Sequence, residues 1–152
     1  KDYIAEVNGY NSRMDEIQAA ILNFKLKNLD KNIEHRKKIA EIYYQNLSSE
    51  IFYPIPMPIN SNCSYYLVPF YFAKDRDNFQ KVLNDFGVGT NISYKNPIHL
   101  MKAYSDLGYK NNDLPKTELF CKHNISLPIF NYMPIEVAYE VVNRVKKVLN
   151  AF

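Results

Sequence analysis

Asn11 and Arg13 stand two residues apart in the polar run Gly9-Tyr-Asn-Ser-Arg13, just ahead of a long apolar-periodic segment. An amide in that place ordinarily serves the N-cap region of the helix that follows. Set against an anion, its N–H₂ is a neutral donor to phosphate oxygens, with the helix N-terminus behind it adding a favourable field. Arg13 can bring charge to a phosphate or pair with an acid of its own loop. The three histidines complete the candidate groups. His35, His99 and His123 have neither metal-ligand spacing nor carboxylates at helical offsets, and neither H-E-x-x-H nor G-x-S-x-G occurs. Metalloenzyme and triad-hydrolase chemistry are therefore disfavoured, and the residues alone display no catalytic set. His35 sits mid-helix beside Arg36 and reads as a surface residue. His123 follows Lys122 at a helix end, where a cation suits the dipole. His99 differs: it follows Pro97 in a loop after a strand-like run, with Tyr94 and Lys95 close by, so its ring is expected at an edge.

The elements that position these groups follow from periodicity. Ser12 and Asp15 have capping-box spacing, so a helix is expected to begin near Arg13. Leu22, Leu26, Leu29, Ile33, Ala40, Tyr43 and Leu47 form one apolar stripe; Met14, Ile17, Ile21 and Phe24 form a second. With no Gly or Pro before Ser48, the spacing predicts a single helix of about 35 residues, roughly 50 Å long at 1.5 Å per residue. That is too long for one face of a small domain. Its first half is expected in a deep groove and its second half on a local sheet, with the Asn11 loop where the two bodies meet.

Farther on, Pro54, Pro56 and Pro58 mark Ser48–Cys63 as a connector that is neither helix nor central strand. Tyr65–Phe72 reads as a strand that Pro69 pushes to an edge or a bulge. Asp75 caps a helix carrying Phe79, Val82, Leu83 and Phe86, with Gly87 as its stop; Gly87-Val-Gly89 follows a helix and lacks a third glycine, so it reads as a C-cap rather than a phosphate loop. Val88, Thr90, Ile92 and Tyr94 alternate as a half-buried strand, completing a strand-helix-strand unit whose pairing, parallel or antiparallel, stays open. A loop around Pro97, a short helix ended by Gly108, a helical turn from Pro115, a last strand in 124–129 and a final helix from Pro134 with Val137, Val141, Val145 and Val148 inward complete the chain. Together these imply a two-layer α/β or α+β domain.

The 152 residues, 47% of them apolar and 14% aromatic, suffice for a real core. Cys63 and Cys121 fit no C-x-x-C pattern and read as reduced cytoplasmic thiols. The net charge of +3 is small, and the basic residues of the long helix are interspersed with Asp30 and Glu34, so neither a nucleic-acid stripe nor a membrane span is expected. Lys1 in place of Met, followed by Asp-Tyr-Ile-Ala-Glu, reads like the interior of a longer chain.

Five stretches, namely 9–20, Arg36-Lys-Lys-Ile-Ala-Glu-Ile-Tyr43, Arg76-Asp77, Tyr94-Lys-Asn-Pro-Ile-His99-Leu and Ser126-Leu-Pro-Ile129, resemble in order and spacing the C-terminal part of the DegT/StrS-type nucleotide-sugar aminotransferases. These are pyridoxal-phosphate enzymes of the aspartate-aminotransferase fold, fold type I. The resemblance implies a small C-terminal domain, 13–152, with 1–12 leading in from a large domain ahead of Lys1. It implies that Asn11 reaches across a homodimer interface to the phosphate of the partner subunit's pyridoxal phosphate, with Arg13 as a second cofactor-binding residue. Tyr10, Tyr94, Lys95 and His99 fall to the substrate side. Arg76 and Asp77 match as well, but their place at a helix start reads as capping and local pairing.

The implied reaction carries an amino group, from glutamate, to a nucleotide-linked keto-sugar in cell-surface polysaccharide or amino-sugar biosynthesis. It needs a Schiff-base lysine, which the family places in the large domain; no lysine here sits in that context, so this chain alone is expected to be inactive. Two other readings stand beside it: a non-catalytic oligomerisation module built on the apolar stripe, and a related pyridoxal-phosphate protein that dehydrates sugars.

Overall fold

In Val68-Pro-Phe-Tyr-Phe72 every second side chain is apolar and buried. The computed structural model, which describes residues 4–10, 13–57 and 61–152, makes this run the middle strand of a three-stranded antiparallel sheet. The strands are β1 (Phe52–Pro54), β2 (Val68–Phe72) and β3 (Asn124–Leu127), in that spatial order. Rings fill one face. Phe52 stacks on Phe70 with centroids 4.6 Å apart, Phe72 stacks on Phe79 at 4.1 Å, and Phe152 meets Phe72 and Phe79 edge-on. Such pairs add about 0.5–1.5 kcal/mol each beyond the area they bury.

Three helices close that face: α2 (Leu29–Asn46), α3 (Arg76–Asp85) and α5 (Ile135–Leu149). They supply the buried Ile39, Ala40 and Tyr43, then Phe79 and Leu83, then Val141, Val145 and Val148. Burial pushes the Tyr43 phenol far above its ordinary range, and its hydroxyl donates to the Pro128 carbonyl at 2.8 Å. On the opposite face Tyr71 stacks between Tyr53 and His123, the last residue of α4 (Pro115–His123). The architecture is α+β, one of the two layouts the periodicity left open.

Four expectations change. The long helix is two: α1 (Glu16–Leu26) and α2 are separated by Lys27–Asn28, where Asn28 leaves helical geometry at φ −115° and ψ 11°. No proline or glycine is needed, because asparagine is a poor interior helix former that favours caps. The cap of α1 also moves. Asp15 is the N-cap and its N–H donates to Gln18 Oε1 at 3.3 Å, while Ser12 lies outside the described residues.

Pro69 lies in the central strand, not at an edge. Its carbonyl accepts the Ile55 N–H at 3.2 Å, so its backbone groups face β1 at the point where that strand has ended, and the missing N–H breaks no ladder bond. The proline-rich connector itself contributes β1, an edge strand. Finally, residues 88–94 do not form a strand. They touch the sheet at one antiparallel bridge, with Asn91 and Ser126 exchanging bonds of 3.1 and 2.7 Å. Tyr94 at φ 57° ends any extended run there.

Gly87 stops α3 as its position implied: at φ +74° it sits in the left-handed region, with the Val88 N–H reaching the Leu83 carbonyl and the Gly87 N–H reaching that of Asn84. A Cβ there would also meet Arg144 Nη1 at 2.5 Å, whereas one at Gly89 would meet nothing within 4 Å. Gly87→Ala is expected to cost about 1–2 kcal/mol in chemical denaturation, and Gly89→Ala less than about 0.5 kcal/mol; equal costs at the two positions would contradict the capping assignment.

Candidate functional site

Asp75 starts α3 by accepting the Asn78 N–H at 3.0 Å, which carries the next residue, Arg76, inward. Arg76 is 5% exposed. Its Nη1 donates to the carbonyls of Cys121 (3.1 Å) and Asn124 (2.8 Å), where α4 runs into β3, and its Nε donates to Asp77 Oδ1 at 2.6 Å. The second Asp77 oxygen takes Lys95 Nζ at 3.3 Å. Hydrogen bonding from Arg76 holds the Asp77 carboxyl below its ordinary value. The local pairing expected of Arg76 and Asp77 is present, and it reaches well beyond the helix start.

Lys95 lies near the start of the segment, 94–99, that carries three of the substrate-side candidates. At the other end, Pro97 leads into a 3₁₀ turn, Ile98–Leu100, that turns His99 inward. The ring is 8% exposed, so it is not displayed at an edge. Its Nε2 lies 3.2 Å from Glu118 Oε1, and Tyr109 meets it edge-on at 5.8 Å. Glu118, in the first turn of α4, also accepts the N–H of Asn112 at 2.9 and 3.0 Å and that of Leu114 at 3.4 Å. The Asn112 N–H, ahead of the other donors, holds the Glu118 carboxyl below its ordinary value. An ionised carboxylate only accepts, so His99 Nε2 carries the proton.

Tyr94 and His99 share the wall of a cavity of about 500 Å³ with Tyr104, Phe120 and Cys121. A neighbouring cavity of about 620 Å³ brings Ile4 and Ala5 against Tyr94, Met101 and Tyr104, held by the Ala103 N–H on the Ala5 carbonyl at 3.0 Å. The structure thus gathers Tyr94, Lys95 and His99 on one segment. Tyr10 and Arg13 are exposed and line neither cavity, and Asn11 lies outside the described residues. Sequence reasoning missed Glu118, whose only signal was an acid three residues after a helix-opening proline.

The other two histidines are structural. His35 is half-buried, with Nε2 2.8 Å from the Met133 carbonyl, rather than a free surface residue. His123 is buried with Nδ1 2.7 Å from the Phe72 carbonyl, so packing against the sheet outweighs the dipole role expected of it. Cys63 and Cys121 are free thiols, and burial pushes the latter's pKa up. Among the described residues no three His, Cys, Asp or Glu are placed to hold a metal ion, and no helix is long and apolar enough to cross a membrane.

A family model described as the DegT/DnrJ/EryC1/StrS aminotransferase family matches residues 1–146. The chain belongs to this family. Over 152 residues it is 35% identical to a pleiotropic regulatory protein of Geobacillus stearothermophilus, covering 99% of this chain and 41% of that one. It is 30% identical to dTDP-3-amino-3,4,6-trideoxy-α-D-glucose transaminase of Micromonospora megalomicea, over 97% of this chain and 40% of the enzyme. The crystal structure of S. venezuelae DesV in complex with a ketimine intermediate superposes with a TM-score of 0.82 at 28% identity, over 97% of this chain and 40% of DesV. The chain therefore spans about two fifths of the length of the family members it matches. Its α+β fold superposes on a portion of the DesV chain.

Asp77 and Glu118 both titrate below their ordinary values in the folded chain. A depressed carboxylate contributes stability that is present above its unfolded pKa and lost as pH falls through its folded pKa. Melting temperature should therefore fall as pH drops below about 4, and Asp77→Asn should flatten that fall while lowering stability near neutrality. An acid limb unchanged in Asp77→Asn would rule out the linkage.

Proposed function

We propose that this chain is the C-terminal portion of a pyridoxal-phosphate-dependent aminotransferase. In this reading, residues 13–152 form the small domain, and the enzyme transfers an amino group from glutamate to a keto-sugar on a nucleotide diphosphate. It works as a cytoplasmic homodimer in amino-sugar or cell-surface polysaccharide biosynthesis. The observation that carries this reading is the family match over 1–146, together with a relative named as a transaminase of a dTDP-linked amino sugar.

The two cavities beside Tyr94 do not make a cofactor site by themselves. The residues lining the two cavities beside Tyr94 include no lysine to anchor the cofactor and no carboxylate to face its ring nitrogen. This chain's part is accordingly at the margins: Tyr94, Lys95, His99 and Tyr10 toward the sugar nucleotide, and Asn11 and Arg13 toward the phosphate of the partner subunit's cofactor. Two features of the chain support a role inside a larger assembly. No residue of α1 is buried, and Met14, Ile17, Ile21 and Phe24 are all at least half exposed. Fully burying each such side chain is worth about 1.5–3 kcal/mol, a strong drive for this face to be covered.

The decisive test is the full-length gene product with pyridoxal phosphate, glutamate and dTDP- or UDP-linked keto-sugars. Glutamate-dependent formation of 2-oxoglutarate and of an amino sugar is expected; water loss from the sugar without glutamate consumption would favour a dehydratase, and neither reaction would favour the oligomerisation module.

The 152-residue polypeptide alone should self-associate, and Ile17→Ser with Phe24→Ser should shift it toward monomer without lowering its melting temperature. Concentration-independent monomer behaviour of the unsubstituted chain by sedimentation would count against a face made for burial. In the full-length enzyme, Asn11→Ala should weaken pyridoxal-phosphate affinity about tenfold to a hundredfold, the equivalent of one charge-assisted hydrogen bond of about 1.5–3 kcal/mol. If affinity holds and only the cofactor-free protein melts earlier, Asn11 is a capping residue.

A further inference from the structure

We infer that Glu118 is a positioning residue for the Tyr94–His99 segment, setting the substrate side of the enzyme through His99 without itself touching substrate. The inference rests on the reading of that segment as the sugar-nucleotide side. Three observations lead to it.

The Glu118 carboxylate gathers donors from two separate places: the His99 ring, 19 residues earlier in the chain, and the backbone N–H groups of Asn112 and Leu114. An acid whose task was only to begin α4 would need the backbone groups alone. Its bond to His99 joins the 3₁₀ turn at 98–100 to the start of α4, and it selects the tautomer in which Nε2 holds the proton.

The two ends of the segment are held unequally. Lys95 pairs with Asp77 at 3.3 Å between side chains about half exposed, a setting in which ion pairs are weak. His99 is bonded to Glu118 where both side chains are largely out of water, at 7% and 19% exposure, so this end is the firmer one.

Just ahead of the weakly held Lys95, Tyr94 stands at φ 57°, which a non-glycine residue keeps only where its surroundings impose it. Tyr94 and His99 wall the same cavity. With only the exposed Lys95 pair left to hold it, a segment freed at His99 would shift, and the wall that Tyr94 and His99 share would change shape.

The test uses the full-length enzyme with Glu118→Ala and, should that variant fold poorly, Glu118→Gln, which keeps the shape and one acceptor oxygen. Hydrogen exchange followed by mass spectrometry should be about tenfold faster over residues 94–100, with β2 and α5 unchanged. Steady-state kinetics should give a KM for the nucleotide keto-sugar raised about tenfold or more, since small misplacements of positioning groups are costly, while the half-reaction with glutamate stays within about twofold of the parent. His99→Gln should raise the same KM, and Glu118→Gln added to it should raise it no further, because the two act as one unit.

Exchange that rises only at the start of α4 marks Glu118 as a cap and overturns the proposal. Faster exchange over 94–100 with an unchanged sugar KM overturns it as well. A wild-type enzyme that transfers no amino group would instead sink the aminotransferase reading, and the exchange measurement would still report whether Glu118 holds the segment.

Discussion

Where α4 runs directly into β3, the carbonyls of Cys121 and Asn124 point into the protein and need a donor that water does not supply. Arg76 provides it from the far side of the sheet with a single buried guanidinium. Lysine could not do the same, because two carbonyls and a carboxylate must be reached at once by a planar fork. Leaving such groups unpaired costs about 1–3 kcal/mol each, so this contact fixes how α3, α4 and β3 come together. Its influence extends outward. The Asp77 carboxylate that balances Arg76 also takes Lys95, which follows Tyr94 at the start of the segment ending in His99. The buried guanidinium and the carboxylate of Glu118 thus bracket that segment, one near each end.

What could be read from the chain depended on whether a signal was local. Asp75 before Phe79, Gly87 after Phe86, Gly108 after Leu107 and the valines of α5 state their roles within one or two turns, and all four sit as expected. Pro69 was misleading because a proline's fitness for a strand depends on which neighbour its nitrogen faces, and that neighbour, Ile55, lies across a proline-rich connector. Alternation from Val88 to Tyr94 was real but could not become a strand, since the open side of β3 is met only at Ser126. Asn28 carried a weak local preference against helix that the strong apolar stripe on either side concealed.

The candidate site divides in the same way. Tyr94, Lys95 and His99 are near neighbours in sequence, so their proximity was legible, but the inward turn of His99 depended on Glu118, which sequence distance hid. Their likeness to the family motif named them without giving the direction of any side chain. The histidines illustrate this well: His35, read as a surface residue, and His123, read as a helix-end partner of the dipole, are bonded to carbonyls of Met133 and Phe72, because a ring that is half apolar and carries one donor suits a buried carbonyl as well as it suits water.

The helix α1 is physically incomplete. An isolated helix of its 11 residues is marginal in water, and none of its side chains is buried, so the Asp15 cap and its own ladder are what maintain it here. Its apolar side chains occur on more than one stripe, with Ile17, Ile21 and Phe24 on one and Leu22 and Leu26 on the other, and all of these are exposed. A helix that is apolar on several sides is stable when surrounded rather than when laid on a single surface. Under the proposed reading, the surrounding body would be the rest of the enzyme, and closing around α1 would also fix the residues just before it. Under that same reading, Tyr10 and Arg13 line neither cavity in this chain because the two halves of the site would ride on different supports, the support of one half being completed only on assembly.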